Sequence, residues 1–170
     1  RLIMSITPPP ILLKPLDASH SSQLQAVYDA SAEFFVQSTG QTAPDQQAGA
    51  DLAAATDDEA RHLLGVFLAG ELAGVIDLRF DDPQPLDTHL GLVLLVPSQR
   101  RQGLGSWALR ILEAWLRRDT PTEGVVVSVP AQDHAAQSFF ASNGYSFTGQ
   151  STRMLAGDRR MRLLQMRKNL

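Results

Sequence analysis

From Leu90 to Val96 the chain reads "LGLVLLV", apolar at almost every position, which predicts a strand buried on both faces. From Leu104 the period changes. Leu104, Trp107, Ala108, Ile111, Leu112, Trp115 and Leu116 fall on one face of an amphipathic helix, closed by "DTP" at Asp119 to Pro121. "GVVVSVP", from Gly124 to Pro130, is a second strand of the buried kind. "DHAAQSFFASNG" after it is a helix with Asp133 at its N-cap and Gly144 at its end.

The flanking segments read more weakly. "ILLKPL" (Ile11 to Leu16) is a short strand. Asp17 or Ser19 then caps a helix from about His20 to Val36, on which Leu24, Val27, Ala30, Ala32 and Phe35 recur. Asp45 to Ala55 is a second short helix. "LLGVFLA" and "LAGVIDLRF" form a hairpin turning at Gly70-Glu71. In its second strand Val75, Asp77 and Arg79 alternate with Ile76, Leu78 and Phe80, so one face is polar. "YSFTG" and "MRLLQM" are two final strands, joined by a loop containing Ala156-Gly157-Asp158. The order β-α-α-β-β-β-α-β-α-β-β predicts a mixed α/β (α+β) domain with an antiparallel front and a parallel pair in its middle. The domain spans residues 11–170, after an extended tail, residues 1–10, that carries three consecutive prolines.

Composition narrows the function classes. At 170 residues the chain suits one domain with a full core. It has no cysteine, which removes disulfides, thiolate nucleophiles and the common structural zinc sites. His20, His62, His89 and His134 are scattered without metal-ligand spacing, so no metal is expected. A net charge of −3 is not a nucleic-acid footprint. No apolar run approaches the ~20 residues of a membrane span, and "RLIMSITPPP" lacks the pattern of a signal peptide. A cytoplasmic protein, monomer or homodimer, is expected.

The chemistry concentrates in "PSQRRQGLG", between the buried strand and the amphipathic helix. A helix start carries unpaired backbone N–H groups and about half a positive charge. Glycines at 103 and 105 let a ligand approach that backbone, and Arg100 and Arg101 add charge-assisted donors. Together these make a pyrophosphate cradle. "GLGSWA" also fits the dinucleotide fingerprint G-x-G-x-x-A. However, six residues, Pro97 to Gln102, separate strand from glycine, and only 65 residues follow Gly105, too few for the remaining βαβ units. A Walker A loop lacks its Lys-Ser/Thr.

"RRQGLG", Arg100 to Gly105, resembles the R/Q-x-x-G-x-G/A element with which GNAT N-acetyltransferases bind the pyrophosphate of acetyl-CoA. "LVLLVP" is similar to the fourth strand of that family, and "VVVSVPAQDHAAQSFFASNGYSFTG" to its fifth strand, following helix and Gly-Phe turn, with Gly144-Tyr145 in the turn. Element order agrees over roughly residues 11–168. The resemblance implies a single GNAT-like domain with a mixed sheet of about seven strands, splayed between strands four and five.

It also implies a site and a reaction. Acetyl-CoA is the cosubstrate, wedged into the splay. The backbone of Leu94, Leu95 and Val96 pairs with its pantetheine arm. Arg100, Arg101 and the amides of Gln102, Gly103, Leu104, Gly105 and Ser106 hold its phosphates, and Asp133 and Phe140 line the far side. A primary amine, of a small molecule or a peptide, attacks the thioester directly, since no cysteine can carry the acyl group. His89 is the first candidate for its general base, with Asp77 and Asp87 behind it. Asp133 stands where the family usually has Asn. Phe140 stands where it often has the tyrosine that protonates the departing sulfur, with Ser138 as a weak substitute. Tyr145 reads as packing. An acyl-CoA-binding module with little turnover is the alternative. The amino-terminal helices, about Tyr28 to Gln47, cover the acceptor side, where Glu33 beside Phe34 and Phe35 suits a cationic amine.

Overall fold

The computed structural model describes residues 10–100 and 103–170. The tail expectation, residues 1–10, therefore lies outside the described residues apart from Pro10. Among the described residues seven strands form one sheet: β1 (Ile11–Pro15), β2 (Arg61–Leu68), β3 (Glu71–Phe80), β4 (Asp87–Leu95), β5 (Gly124–Pro130), β6 (Ser146–Ala156) and β7 (Arg159–Asn169), in the order β1-β2-β3-β4-β5-β7-β6. Five α-helices among the same residues flank it: α1 (Ser21–Ala30), α2 (Ala32–Thr39), α3 (Gln47–Thr56), α4 (Leu104–Asp119) and α5 (His134–Ser142). Neighbouring strands are antiparallel except β4 and β5, which are parallel. A crossover connection is what permits a parallel pair, and α4 supplies it.

Two apolar layers result. On one face Leu64, Ile76, Leu78, Leu90, Val125, Val127 and Met166 pack under Ala108, Leu109, Leu112 and Leu116 of α4 and Phe140 of α5. On the other, Leu63, Val75 and Leu94 meet Leu24, Val27 and Tyr28 of α1 and Ala48 and Leu52 of α3. Leu109, outside the expected stripe, is buried in place of Trp107, which is only half-buried and carries Arg110 stacked 4.6 Å from its ring centroid. A large amphipathic indole covers the rim better than it fills the floor.

Four other elements depart from expectation. The single helix from His20 to Val36 is two helices, broken at Ser31, where the N–H donates back to Tyr28 O at 3.0 Å. The break lets α2 swing toward the β6–β7 hairpin, where Arg159 donates to Gln37 O at 3.0 Å. The β2–β3 turn is at Ala69-Gly70, both with positive φ (50° and 85°), the paired left-handed geometry that matches strand twist, and not at Gly70-Glu71. β4 begins at Asp87, three residues earlier than its apolar run. β6 and β7 are eleven residues each, joined by the tight Gly157-Asp158 turn. β6 is exposed along nearly all its length, with only Ala156 buried, so no apolar period marks it.

β4 and β5 pair from Asp87–Gly124 only to Leu90–Val127, although both strands continue. The cause is one residue. Leu78 of β3 opposes Leu90 while Asp77 opposes Leu92, so Gly91 is an extra residue, a β-bulge that bends β4 away from β5.

Candidate active site

Gly103 is the N-cap of α4, with φ 75° and no side chain to satisfy the first-turn amides. A Cβ built there meets nothing within 4 Å, so the approach to the helix end is open. Gly105 is needed for a different reason. Its Cβ position lies 3.2 Å from the ring of Phe139 on α5, so this glycine lets two helices touch. Asn143 adds a second tie, donating from Nδ2 to Ser106 Oγ at 3.1 Å and to Phe139 O at 2.8 Å. Arg100 folds back, its Nε donating to Leu95 O at 2.9 Å, which fixes a guanidinium at the mouth of the split. Arg101 and Gln102 lie outside the described residues.

The three strand residues expected to pair with a ligand divide. The Val96 N–H donates to Ala73 O of β3 at 2.9 Å. Hydrogen-bond direction alternates along a strand, so Leu94 faces β3 as well and Leu95 faces the gap. The amide of Val96 is therefore not available to a ligand strand; that of Leu95 is.

At the closed end of the split stands His89, on the face of α1–α3. Its Nδ1 lies 3.2 Å from Asp82 Oδ2 and its Nε2 3.2 Å from Ser128 Oγ. A carboxylate only accepts, so the shared proton sits on Nδ1 and leaves Nε2 as the basic nitrogen, accepting from Ser128. Burial pushes the imidazole below its ordinary value; Asp82 and Asp77 oppose this and Arg79 adds to it. The ring is thus neutral at neutral pH. Sequence reading missed Asp82 and Ser128, which lie in a turn-rich loop and an apolar strand. Ser128 was the detectable one, a lone polar residue in "GVVVSVP".

The carboxylates behind His89 are committed elsewhere, which corrects them as candidate bases. Asp77 accepts from Arg61 through both oxygens, from Nε at 3.1 Å and Nη2 at 2.7 Å. Arg61 also lies 3.7 Å from Asp51, which accepts from the Tyr28 hydroxyl at 2.7 Å. Asp87 is buried, paired with Arg167 at the far end of the sheet. Phe140 is a core residue, its ring 5.1 Å from Phe139 and 5.3 Å from Tyr145. Tyr145 packs as expected: its hydroxyl donates to buried Glu113 at 2.7 Å, and Lys168 reaches the same carboxylate at 2.7 Å. Burial and Glu113 together push that phenol far up, so it holds its proton. Ser138 is exposed on α5.

A cleft of about 560 Å³ opens beside the end of β5, lined by Phe34, Gln37 and Ser38 of α2, by Pro130 and the segment from Gln132 to Ala135, and by Arg159 to Met161. Asp133 lies on its wall and caps α5, accepting from Ala136 N at 3.0 Å. Ser128 and Pro130 share a face of β5, about 6.6 Å apart along the strand. Pro130, on the cleft wall, therefore lies on the face of the sheet that carries Ser128 and His89. Phe34 lines it as expected, but Phe35 stacks on Tyr28 at 4.9 Å, and Glu33 lies on α2 outside the lining. The arginines of the cleft are Arg159 and Arg160, so its charge is opposite to that expected from Glu33. Among the described residues no cluster of His, Asp or Glu suits a metal ion, and no helix is long and apolar enough to cross a membrane.

Similar folds are known. An acetyltransferase from Thermus thermophilus superposes with a TM-score of 0.80 at 23% identity, over 94% of this chain and 97% of that one. An acetyltransferase from Salmonella typhimurium that modifies the N-terminal serine of a 50S ribosomal subunit protein gives 0.84 at 16% identity, over 95% of each chain. The PaiA N-acetyltransferase of Thermoplasma acidophilum, solved with coenzyme A, gives 0.68 at 16%, over 94% and 99%. No curated protein sequence matches significantly. The family model for the acetyltransferase (GNAT) family matches residues 24–145, and the chain belongs to that family.

Proposed function

We propose that the protein transfers an acetyl group from acetyl-CoA directly to a primary amine presented through the cleft under α2. The observation that carries this reading is the split of β4 from β5 after Leu90–Val127, which opens toward the uncapped, glycine-led start of α4. Acetyl-CoA, when bound, supplies an activated thioester carbonyl. Support for it comes from the coenzyme A held by a protein of the same fold.

In this reading the amides of Gly103 to Ser106 and the Arg100 guanidinium hold the pyrophosphate, and Leu95 pairs with the pantetheine arm. Asp133 and Phe139 border the path; Phe140 supports them from the core. His89 takes the proton that the attacking amine must lose, at Nε2, directly or through the Ser128 hydroxyl. Asp82 holds the tautomer and steadies the cation that forms. The phenol of Tyr145 is committed to Glu113, so thiolate departs without a tyrosine acid. A thiol of pKa about 8.5 is a fair leaving group unaided.

Titration calorimetry with acetyl-CoA and with NAD, followed by colorimetric thiol release across a panel of amines and free-N-terminus peptides, tests the reading. Acetyl-CoA binding with turnover is expected. NAD binding without CoA binding overturns the cradle. CoA binding without turnover on any acceptor favours a binding module, the outcome that core placement of Phe140 keeps in view.

A further inference from the structure

Ser128 has a neighbour that the proposed chemistry does not use. In the β5–β7 ladder it stands directly opposite Gln165. Leu164 and Met166, on either side of Gln165, pack into the layer under α4 and α5, so the Gln165 side chain projects from the other face, that of α1–α3. His89, Ser128 and Gln165 thus form one row across β4, β5 and β7. On β6 the row is extended by Thr148, whose Oγ1 donates to Gln165 Oε1 at 2.9 Å. Ser128 and Thr148 are exposed and Gln165 is half-buried, so the row is open to solvent.

A β-bulge makes the last contact. Phe147 opposes Met166 and Ser151 opposes Leu164, so Thr148, Gly149 and Gln150 together face Gln165 alone. Gly149 takes a positive φ of 87°, and the Gln150 N–H donates to Thr148 Oγ1 at 3.2 Å. A backbone N–H only donates, so Thr148 accepts there and gives its own proton to Gln165. The carboxamide is thereby held with its oxygen toward β6 and its NH2 on the side of β5. Among the described residues that nitrogen has no acceptor, and the Ser128 hydroxyl facing it bonds to His89.

We infer that Gln165 is a positioning residue for the acceptor: its free N–H anchors a neutral oxygen, hydroxyl or carbonyl, that the substrate carries beside the attacking amine. The inference rests on the N-acetyltransferase reading, with His89 as base, and adds a substituent that the amine must carry. Neighbouring strands lie about 4.8 Å apart, so an amine held at Ser128 and His89 places a group about two or three carbons from its nitrogen over Gln165. The group is neutral because the cations flanking the row are already paired. Arg79, opposite His89, pairs with Asp58, and Arg167, two residues from Gln165, pairs with Asp87. Pro130 and Met161, on the wall of the cleft under α2, stand one and two steps farther along the same face of β5 and β7. An acceptor entering there lies along these two strands as it reaches the row. Thr148 acts only through Gln165, by orienting it.

The test uses two amines of equal length that differ at one atom: propanolamine, with its hydroxyl on the terminal carbon, and butylamine. Saturation-transfer NMR with saturating CoA gives their dissociation constants, and thiol release with acetyl-CoA gives kcat and KM. Wild type should favour the amino alcohol about three- to tenfold in both measurements, the contribution of one neutral hydrogen bond. Gln165→Met keeps the length of the side chain and removes the donor. It should bring the ratio to about one, through KM and not kcat. Thr148→Val removes only the orienting hydroxyl and should give an intermediate ratio. The acid limb of the pH profile belongs to His89 and should stay in place in both variants.

Equal binding of the two amines by wild type overturns the inference, as does a preference that survives Gln165→Met or stays whole in Thr148→Val. A loss of kcat/KM shared equally by both amines returns Gln165 to a structural cross-strand pair. A displaced acid limb makes it part of the proton path. Either result also overturns the inference. Binding with the expected preference, abolished in Gln165→Met, but without thiol release from these amines or any of the wider panel, would retain the Gln165 site and count against the transferase reading alone.

Discussion

The two faces of the sheet are built from the same strands and do different work. Under α4 and α5 the face is aliphatic, and its polar group of Glu113, Tyr145 and Lys168 is mutually satisfied. Under α1–α3 the apolar patch is smaller and continues into charge: Tyr28, Asp51, Arg61 and Asp77 in one chain of contacts, Arg79 with Asp58 at 2.7 Å, then Asp82, His89 and Ser128. What separates scaffold from chemistry on this second face is completeness of pairing. Asp77 has both oxygens held by one guanidinium. His89 has one nitrogen oriented and the other facing a hydroxyl in the split, which leaves a lone pair that can accept a proton.

The sharpest way to break this contrast is to remove the nitrogen proposed as the base. His89→Ala should lower kcat/KM by about 10²–10⁴-fold, while chemical denaturation shifts by less than about 1 kcal/mol. A loss of stability matching the loss of rate would return His89 to the scaffold. On the aliphatic face the reverse should hold. Glu113→Ala leaves a buried phenol and an ammonium unpartnered and should cost about 2–4 kcal/mol of stability, read as a lower urea midpoint at unchanged m.

The pH profile sharpens the comparison. Since the His89 imidazole titrates below its ordinary value, the neutral, proton-accepting form dominates at neutral pH, and kcat/KM should fall only as pH drops below about 6.5. Asp82→Asn removes the main group that raises this value, so the acid limb should move to lower pH, with the plateau reduced about tenfold as the tautomer is released. A limb that stays in place would detach Asp82 from the histidine.

The smallest effects concern the two glycines. Gly103→Ala forces a Cβ into left-handed backbone, costing about 1–2 kcal/mol, and should weaken CoA binding in calorimetry. Gly105→Ala presses on Phe139, so its cost should shrink in a Phe139→Ala background, whereas that of Gly103→Ala should not. Equal coupling of both glycines to Phe139 would merge two roles that the geometry keeps apart.

What the sequence determined by itself was whatever depends on near neighbours in the chain. The change of period across Val96 to Leu104, the glycine and arginine composition between, and Asp133 before its helix each declare a local structure, because capping, helix dipole and left-handed backbone act within a few residues. The tertiary structure decided what depends on partners far apart. Gly91 stood unremarked in an apolar run, and only its register against β3 and the position of β5 showed it to be the bulge that opens the split. Asp82, His89 and Ser128 meet from one loop and two strands, and nothing local marks their spacing. Asp77 and Asp87 carry the same side chain as any catalytic carboxylate, and only the fold brings Arg61 and Arg167 to pair with them. The charge of the cleft under α2 was settled in the same way: Glu33 and Arg160 are 127 positions apart in sequence, and which of them lines the cleft depends on the break at Ser31 and on where the β6–β7 turn meets α2.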